Sequence, residues 1–297
     1  AVLAQEWYGD PNHFAFRHVI AAGLGLIAMF ALLRIDYHCY RHPVLVFSLL
    51  SVVTALLVFA LLLPTTANTH RWIKLAGLSF QPAELAKLAV IVFMAYFLEN
   101  RRGRINEFGY TLLPVSTLSL LFAGLIILQP DLGTTISILA VIGVMLFAAG
   151  LNLRWMMVLT VLILPFLYLL IFQVPWRRER LLSFVDPWSD PLGSGFQIIQ
   201  SLISLGTGGV TGVGFMEGHQ KLFYLPEPHT DFIFAVVGEE LGLIGTALIL
   251  SLFCILIWRG LRTAARAPDQ FGFYLAFGIT MMIGLQAFIN MSVVLGL

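Results

Sequence analysis

Long apolar runs alternate with short polar connections along almost the whole chain. A helix that crosses the hydrocarbon core of a bilayer needs about 20 apolar residues, and eight segments approach or reach that length. These predicted spans cover residues 16–33, 44–63, 84–99, 111–128, 133–150, 155–173, 231–258 and 272–297. The pattern therefore predicts an all-α, polytopic transmembrane helix bundle, in which the 84–99 span is short.

Composition supports lipid as the solvent of this chain. Apolar residues make up 59% and charged residues 11%, against about 25% charged residues in soluble domains. The net charge of +1 argues against a nucleic-acid binder. Cys39 and Cys254 are far apart and are interpreted as single small apolar residues. Because the chain begins at Ala1 and ends at Leu297 within an apolar run, we expect a first and a last span to be missing.

Arginines in the connections predict the orientation in the membrane. Nine of them share four alternate connections: Arg34, Arg41, Arg101, Arg102, Arg104, Arg154, Arg259, Arg262 and Arg266. The rule assigns these connections to the cytoplasm, so the opposite set, 64–83, 129–132 and 174–230, is extracytoplasmic. We predict one membrane domain over 1–297, with 174–230 as a large extracytoplasmic loop inside it.

The 174–230 loop is far longer than a plain connector, and such loops usually have a function or are disordered. Its many aromatic residues indicate order. Residues 177–182 predict the start of an interfacial helix, and 186–193 predict a chain of turns. The segment 196–205 is amphipathic, with Gln200 on its polar side, and predicts a short re-entrant or surface helix.

Five glycines follow within the nine residues 206–214. They indicate either a flexible turn between two short helices or backbone N–H groups that approach a phosphate. Because no Gly-Lys-Ser/Thr sequence follows, a nucleotide-binding P-loop is not supported.

Asp231 lies at the outer start of the 231–258 span. One interpretation is an N-cap of that helix. The other is acid–base chemistry, which needs titratable groups close together, and Glu227 and His229 are near in sequence. The three residues alternate but do not form a metal-ligand pattern.

Glu239 and Glu240 lie about 12–13.5 Å further along the same predicted helix. They point about 80° and about 180° away from Asp231, so both cannot face it. An ionisable residue at that depth in a membrane is a candidate functional residue. The alternatives are a structural pair with a buried cation, or protonated carboxyl groups hydrogen-bonded between helices.

Two smaller groups lie on the same predicted face. Glu84 and Lys87 are three positions apart and so share a helix face. They form either a local ion pair or, with Arg71 and Lys74, a site for a phosphorylated head group. Asp131 follows a Gln-Pro turn between two spans and is most simply an N-cap. Together these residues suit a lipid-linked anionic substrate.

Several of these segments resemble the SEDS family, the polytopic proteins typified by FtsW and RodA. The matching motifs occur in the family's order at residues 71–73, 80–87, 129–134, 186–195, 200–202, 206–214 and 225–242. Residues 220–226 and 186–188 look closer to FtsW-type than to RodA-type members. The family pattern has ten spans, so the resemblance also implies that the first and last are absent.

The resemblance implies a peptidoglycan glycosyltransferase that polymerises lipid II, an undecaprenyl-pyrophosphate-linked disaccharide peptide, at the outer face of the cytoplasmic membrane, in cell division or in cell elongation and shape. The family's essential Asp maps onto Asp231, the expected catalytic residue. The expected substrate-binding residues are Arg71, Lys74, Glu84, Lys87, Asp131, Gln200, Lys221, Glu227, His229, Glu239 and Glu240. One inverting displacement with one base fits this chemistry.

Two other functions compete with polymerisation: a lipid II flippase, and a non-catalytic scaffold for a class B penicillin-binding protein. We expect no established cofactor, with a divalent cation such as Mg²⁺ as the candidate, and no metal-ligating residues in the chain. The expected partners are lipid II, a class B penicillin-binding protein transpeptidase and other divisome or elongasome membrane proteins, and no nucleic acid. The expected location is a bacterial cytoplasmic membrane, with the active site facing outwards.

Overall fold

The computed structural model describes residues 13–63, 70–75, 78–220 and 231–296. These residues form ten α-helices and one β-hairpin. The helices are α1 His13–Leu32, α2 Pro43–Leu62, α3 Pro82–Asn100, α4 Leu113–Leu128, α5 Leu132–Ala148, α6 Leu153–Phe172, α7 Pro175–Val185, α8 Phe196–Gly208, α9 Ile233–Ala265 and α10 Gln270–Leu295. A helix lies at each of the eight predicted spans, which confirms the all-α polytopic fold.

Five helical segments are long and apolar enough to cross a membrane within the described ranges. They are Pro43–Leu62, Phe108–Leu128, Leu153–Phe172, Ile233–Ala265 and Gln270–Leu295. Proline begins α2, α3 and α7, where its fixed φ suits a first helical turn and its missing N–H costs nothing. The predicted helix entry at Pro82 is thus confirmed.

The described residues 37–63, 70–75, 78–164 and 255–286 form one compact unit, here called the α2–α5 unit. Its core consists of aliphatic and aromatic side chains from α2 to α5, with Phe271 and Tyr274 from α10. Leu57, Ile91 and Met145 are fully buried. Close packing of this kind holds the connections between the helices in fixed positions.

A short β-hairpin precedes α3 in this unit, and the sequence analysis did not predict it. Strand β1, Ile73–Leu75, pairs antiparallel with β2, Leu78–Phe80, and Lys74 lies opposite Ser79. The strands are only three residues long, so they carry too little alternation to stand out in a hydropathy pattern.

The second compact unit contains the described residues 13–36, 165–220, 231–254 and 287–296. Here it is called the loop unit, because it includes α7, α8 and the segments around them. A short 3₁₀ helix, Pro187–Ser189, and turns connect α7 to α8. The predicted helix near 177, the turns at 186–193 and the helix in 196–205 are all confirmed. Phe232, Ala235 and Val294 form the centre of its core.

Helix α9 is broken at Gly242, whose φ of 64° is not helical. Residues 209–214, here called the glycine strap, bond to the chain on both sides of the break. The N–H groups of Val213 and Gly214 donate to the carbonyls of Glu239 and Glu240 over 3.0 and 3.1 Å, and those of Leu243 and Ile244 donate to the carbonyls of Gly209 and Val210 over 2.9 and 3.2 Å. The strap therefore supplies partners that the broken helix lacks.

The glycine strap is neither of the two structures expected for it. The N–H of Gly212 donates to the carbonyl of Gly208, so consecutive N–H groups from Gly212 to Gly214 are used inside the chain. They are not available to cradle a phosphate, and the strap is a bonded part of the fold rather than a flexible turn. A Cβ on Gly212 would overlap the carbonyl of Glu240, so the close approach requires glycine here.

Candidate functional site

Asp231 lies two residues before α9, and its side chain is exposed. The N–H groups of Ala235 and Val236, in the first turn of the helix, donate to the carbonyl of Phe232. Among the residues that the structure describes, nothing hydrogen-bonds or pairs with the Asp231 carboxylate. Within the described residues the carboxylate therefore does not cap α9, contrary to the N-cap interpretation, and its site role stays a prediction.

The backbone at Asp231 is held by α10. The side-chain amide of Asn290 donates to the Asp231 carbonyl over 3.1 Å. One turn further along α10, Val294 is fully buried against Phe232 and Ala235. The Ser201 hydroxyl of α8 donates to the Val294 carbonyl over 2.7 Å. Helix α10 thus holds the start of α9, and α8 in turn bonds to α10.

Gln200 lies next to Ser201 on α8 and is half-buried. Its carbonyl accepts the Ser204 hydroxyl, as is common for serine within a helix. The predicted polar side of α8 is only partly exposed in the structure, because Ser201 and Ser204 are fully buried. The substrate-binding role of Gln200 stays a prediction.

Glu239 and Glu240 are buried in the loop unit, with exposures of 0% and 8%. Oε1 of Glu239 accepts the N–H groups of His219 and Gln220 over 2.7 and 3.2 Å, and its Oε2 lies 3.3 Å from the Gln220 nitrogen. Oε2 of Glu240 accepts the Met216 N–H over 3.0 Å. Backbone donors thus hold both carboxylates. Among the described residues no cation pairs with Glu239, and the ion-pair alternative stays untested because Lys221 lies outside them.

Asp131 caps helix α5 in the α2–α5 unit, as predicted. Its carboxylate accepts the N–H and the hydroxyl of Thr134 over 3.1 and 3.0 Å. The side-chain amide of Gln81 donates to the same carboxylate over 2.9 Å, and Nε of Arg71 lies 4.0 Å from it. The cap therefore also ties the turn before α5 to the residue before α3.

Arg71 is fixed mainly by backbone carbonyls. Its Nε donates to the carbonyl of Gln129 over 3.1 Å, and its Nη2 donates to that of Pro130. Gln129 is fully buried and donates to the Leu57 carbonyl over 3.0 Å. The guanidinium thus bonds to neutral backbone carbonyls and has Asp131 as its carboxylate neighbour at 4.0 Å.

Lys87 is buried, with 4% of its side chain exposed, and lies 2.9 Å from Glu84 in the predicted ion pair. Its Nζ also donates to the side chain of Gln286, on α10, over 3.0 Å. Half of the Glu84 side chain is exposed, so the carboxylate of the pair is accessible whereas the ammonium group is buried. A buried ammonium group needs such partners to keep its charge.

Four predicted site residues are not placed by the structure. Lys221, Glu227 and His229 lie outside the described residues, and Lys74 is described only as part of strand β1. Within the described residues, no group of three or more His, Cys, Asp or Glu side chains could hold a metal ion. A divalent cation such as Mg²⁺ therefore stays a candidate without a described site.

Sequence reasoning missed Asn290, Gln286 and Gln81. The first two are amides inside the predicted 272–297 span, and polar residues at membrane depth are candidates for function. That signal was available in the sequence. Gln81 lies just before Pro82 and could not be distinguished from an ordinary loop residue.

Comparisons with known proteins confirm the family resemblance of the sequence motifs. Residues 1–297 match the family described as "Cell cycle protein" and named for FtsW, RodA and SpoVE. The chain is 44% identical over its full length to the probable peptidoglycan glycosyltransferase FtsW of Geobacter metallireducens, of which it covers 80%. It is 42% identical to the stage V sporulation protein E of Bacillus subtilis, with 100% of the chain and 81% of that relative covered.

Solved structures give the same result for the fold. One is a chain described under "Structural coordination of polymerization and crosslinking by a peptidoglycan synthase complex". It matches with a TM-score of 0.80 and 32% identity, covering 100% of this chain and 83% of that one. RodA of Thermus thermophilus matches with a TM-score of 0.66 and 28% identity, covering 98% and 79%.

Proposed function

Because the chain belongs to the cell cycle protein family of FtsW, RodA and SpoVE, we propose that it polymerises lipid II, with the carboxylate of Asp231 as the general base. The chain is a multi-pass membrane protein and, like its FtsW relatives, a peptidoglycan glycosyltransferase of cell-wall synthesis and division. The observation that carries the proposal is the exposed Asp231 carboxylate, which has no partner within the described part of the chain, on a backbone that Asn290 holds in place.

The proposed reaction is a single displacement. The acceptor 4-hydroxyl oxygen attacks the anomeric carbon of the donor, and the bond from that carbon to the pyrophosphate oxygen breaks. Asp231 takes the hydroxyl proton as the new glycosidic bond forms, and the electron pair leaves with the lipid pyrophosphate. An α-linked donor gives a β-linked product in one inverting step, which needs one base and no covalent intermediate.

The pyrophosphate gains charge as it leaves, and cations stabilise developing charge at fixed positions. We propose Lys87 and Arg71 as ligands of this group. The Lys87 ammonium group is buried and has one amide and one carboxylate partner. The Arg71 guanidinium bonds mostly to neutral backbone carbonyls. Lys74 and Lys221 are further candidates on sequence alone. The bond to pyrophosphate is already activated, so no nucleotide is needed.

We also propose that Asp231 faces the outside of the cytoplasmic membrane. The arginine-rich connections predict the cytoplasmic face, and Asp231 follows a connection of the other set. A class B penicillin-binding protein transpeptidase is the proposed partner. The support for it is the match to a chain of a peptidoglycan synthase complex that couples polymerisation to crosslinking.

The test is a polymerisation assay with purified chain and lipid II in detergent, with and without the transpeptidase. Asp231→Asn should lower turnover by about 100- to 10,000-fold, the usual contribution of a general base. Glu179→Gln, which removes an exposed carboxylate on α7, is the matched control and should retain turnover. Persistent polymerisation in Asp231→Asn would rule out the base role.

The same preparation separates the competing functions. Reconstituted in vesicles, a flippase would move lipid II across the bilayer without forming glycan chains. A scaffold would do neither and would only bind the transpeptidase. A parallel assay with a chelator tests whether a divalent cation assists the reaction.

A further inference from the structure

Glu239 and Glu240 take no part in the proposed displacement, yet both are buried carboxylates with defined partners. Each of the two residues bonds to the preceding loop through both its main-chain carbonyl and its side-chain carboxylate. The main-chain carbonyls of Glu239 and Glu240 accept the N–H groups of Val213 and Gly214, and their side chains accept those of His219, Gln220 and Met216. A carboxylate that accepts backbone N–H groups forms hydrogen bonds stronger than neutral ones.

The loop is shaped to fit the two carboxylates. Gly218 is buried between its bonded neighbours, and a Cβ there would lie 2.9 Å from Oε2 of Glu239. Met216 has a φ of 68°, a left-handed conformation that costs a side-chain-bearing residue about 1–2 kcal/mol. Its N–H bond to Glu240 offsets part of that cost. The two features indicate a loop conformation imposed by the carboxylates.

These contacts join the loop to the first part of α9, which Asp231 precedes by two residues. The break at Gly242 interrupts the helix just after Glu240. The first part of α9 therefore cannot take its position only from the rest of the helix. Asp231 precedes Glu239 by eight positions, and Gln220 precedes Asp231 by eleven.

We infer that Glu239 and Glu240 are positioning residues for Asp231, and that they do not bind substrate. This inference rests on the proposed function, because it assumes that Asp231 is the base. By bonding to the N–H groups of Met216, His219 and Gln220, the two carboxylates fix the first part of α9 against the loop, and Asp231 directly precedes that part of the helix by two residues. Displacing a reacting group by about 1 Å can cost about 100-fold in rate.

The test compares Glu239→Gln with wild type in the full chain, using lipid II in detergent. Glutamine keeps the side-chain size but replaces one acceptor oxygen with an N–H₂ donor that faces backbone donors. We expect kcat to fall about 10- to 100-fold and KM for lipid II to stay within about twofold, since no substrate contact is lost. Hydrogen exchange should accelerate in 216–220 and stay unchanged in the α2–α5 unit.

Glu217→Gln is the matched control. Glu217 lies in the same loop and its side chain is exposed, so its variant should keep both kcat and the exchange pattern. A higher KM with unchanged kcat in Glu239→Gln would make Glu239 a substrate ligand and overturn the inference. Unchanged exchange in 216–220 would overturn it as well.

Two further variants distinguish a failure of the positioning role from a failure of the proposed function. If Glu239→Gln is not recovered folded, Glu240→Gln takes its place; it should shift kcat and exchange in the same direction, and a wild-type result in it refutes the inference. Asp231→Asn runs in parallel. If it retains turnover, the proposed function fails, whereas loss of turnover in Asp231→Asn with a normal kcat in Glu239→Gln defeats only the positioning role.

Discussion

The side-chain amide of Asn290 donates to the backbone carbonyl of Asp231, and so connects the end of α10 to the residue before α9. The bond uses the main chain of Asp231 and leaves its carboxylate exposed. A fixed position and an exposed functional group are the two requirements of the general base proposed at Asp231.

Removing this bond should reduce activity without abolishing it. In Asn290→Ala the Asp231 backbone loses one hydrogen bond of about 0.5–1.5 kcal/mol, and we expect turnover to fall by about 2- to 10-fold. Asn100→Ala loses a comparable amide-to-carbonyl bond, to Tyr96 within α3, and should be neutral. Equal losses in both variants, measured by glycan formation from lipid II, would count against a specific role for Asn290.

Lys87→Met tests the proposed pyrophosphate ligand. Methionine fills similar space without charge, so we expect KM for lipid II to rise by about 10- to 100-fold, as for a lost charge-assisted hydrogen bond. Glu84→Gln keeps a side-chain oxygen that can accept from the Lys87 ammonium group, so we expect a smaller rise in KM than in Lys87→Met. An unchanged KM in Lys87→Met would remove Lys87 from the site.

Gly242→Ala should destabilise the loop unit. The φ of 64° alone costs alanine about 1–2 kcal/mol, and the added Cβ would overlap the Gly212 nitrogen and the Val210 carbonyl. We expect a lower Tm in detergent and faster exchange in 209–214. Gly143→Ala is the control, since its Cβ meets nothing within 4 Å on α5. An unaltered Tm in Gly242→Ala would mean that the break is not a fixed feature.

Asp269, in the connection between α9 and α10, contacts residues near the start of α2. The Tyr37 hydroxyl donates to its carboxylate over 2.6 Å, and Nε2 of His38 lies 3.8 Å away. Burial raises the pKa of Asp269. The bonds from Tyr37 and Gly272 and the nearby positive charges outweigh this effect, so the pKa lies below its usual value.

This pKa shift predicts a pH dependence of stability. Because the carboxyl titrates lower in the folded state, its contribution is fully present above the unfolded pKa of about 3.9 and is lost as pH falls through the folded value. Asp269→Asn should therefore show a smaller decrease in Tm between neutral and acid pH than wild type. Tyr37→Phe should behave similarly, whereas Tyr168→Phe, on an exposed side chain, should match wild type.

The positions of the spans could be predicted because lipid imposes length and apolarity on each helix. The Asp131 cap and the Glu84–Lys87 pair could also be predicted, since both depend on neighbours three positions apart. Such contacts follow from local geometry. The site roles assigned to Asp231 and the substrate-binding residues stay predictions.

What could not be predicted depends on contacts between distant parts of the chain. The Glu239 carboxylate accepts the backbone N–H groups of His219 and Gln220. Every residue except proline has such a group, so the sequence does not indicate which ones will bond to Glu239. The break at Gly242 was missed for the same reason. A glycine within an apolar helix is compatible with an unbroken span, and only the glycine strap distinguishes the two.

The order of the strap and the broken helix along the chain has a consequence for biosynthesis. Residues 209–214 leave the ribosome before Gly242, so the partners of the interrupted backbone already exist when α9 is made. Within hydrocarbon, unpaired N–H and C=O groups each cost several kcal/mol. The first part of α9 can therefore settle in the bilayer only together with the strap. We therefore expect membrane integration of α9 to depend on the loop that precedes it in the chain.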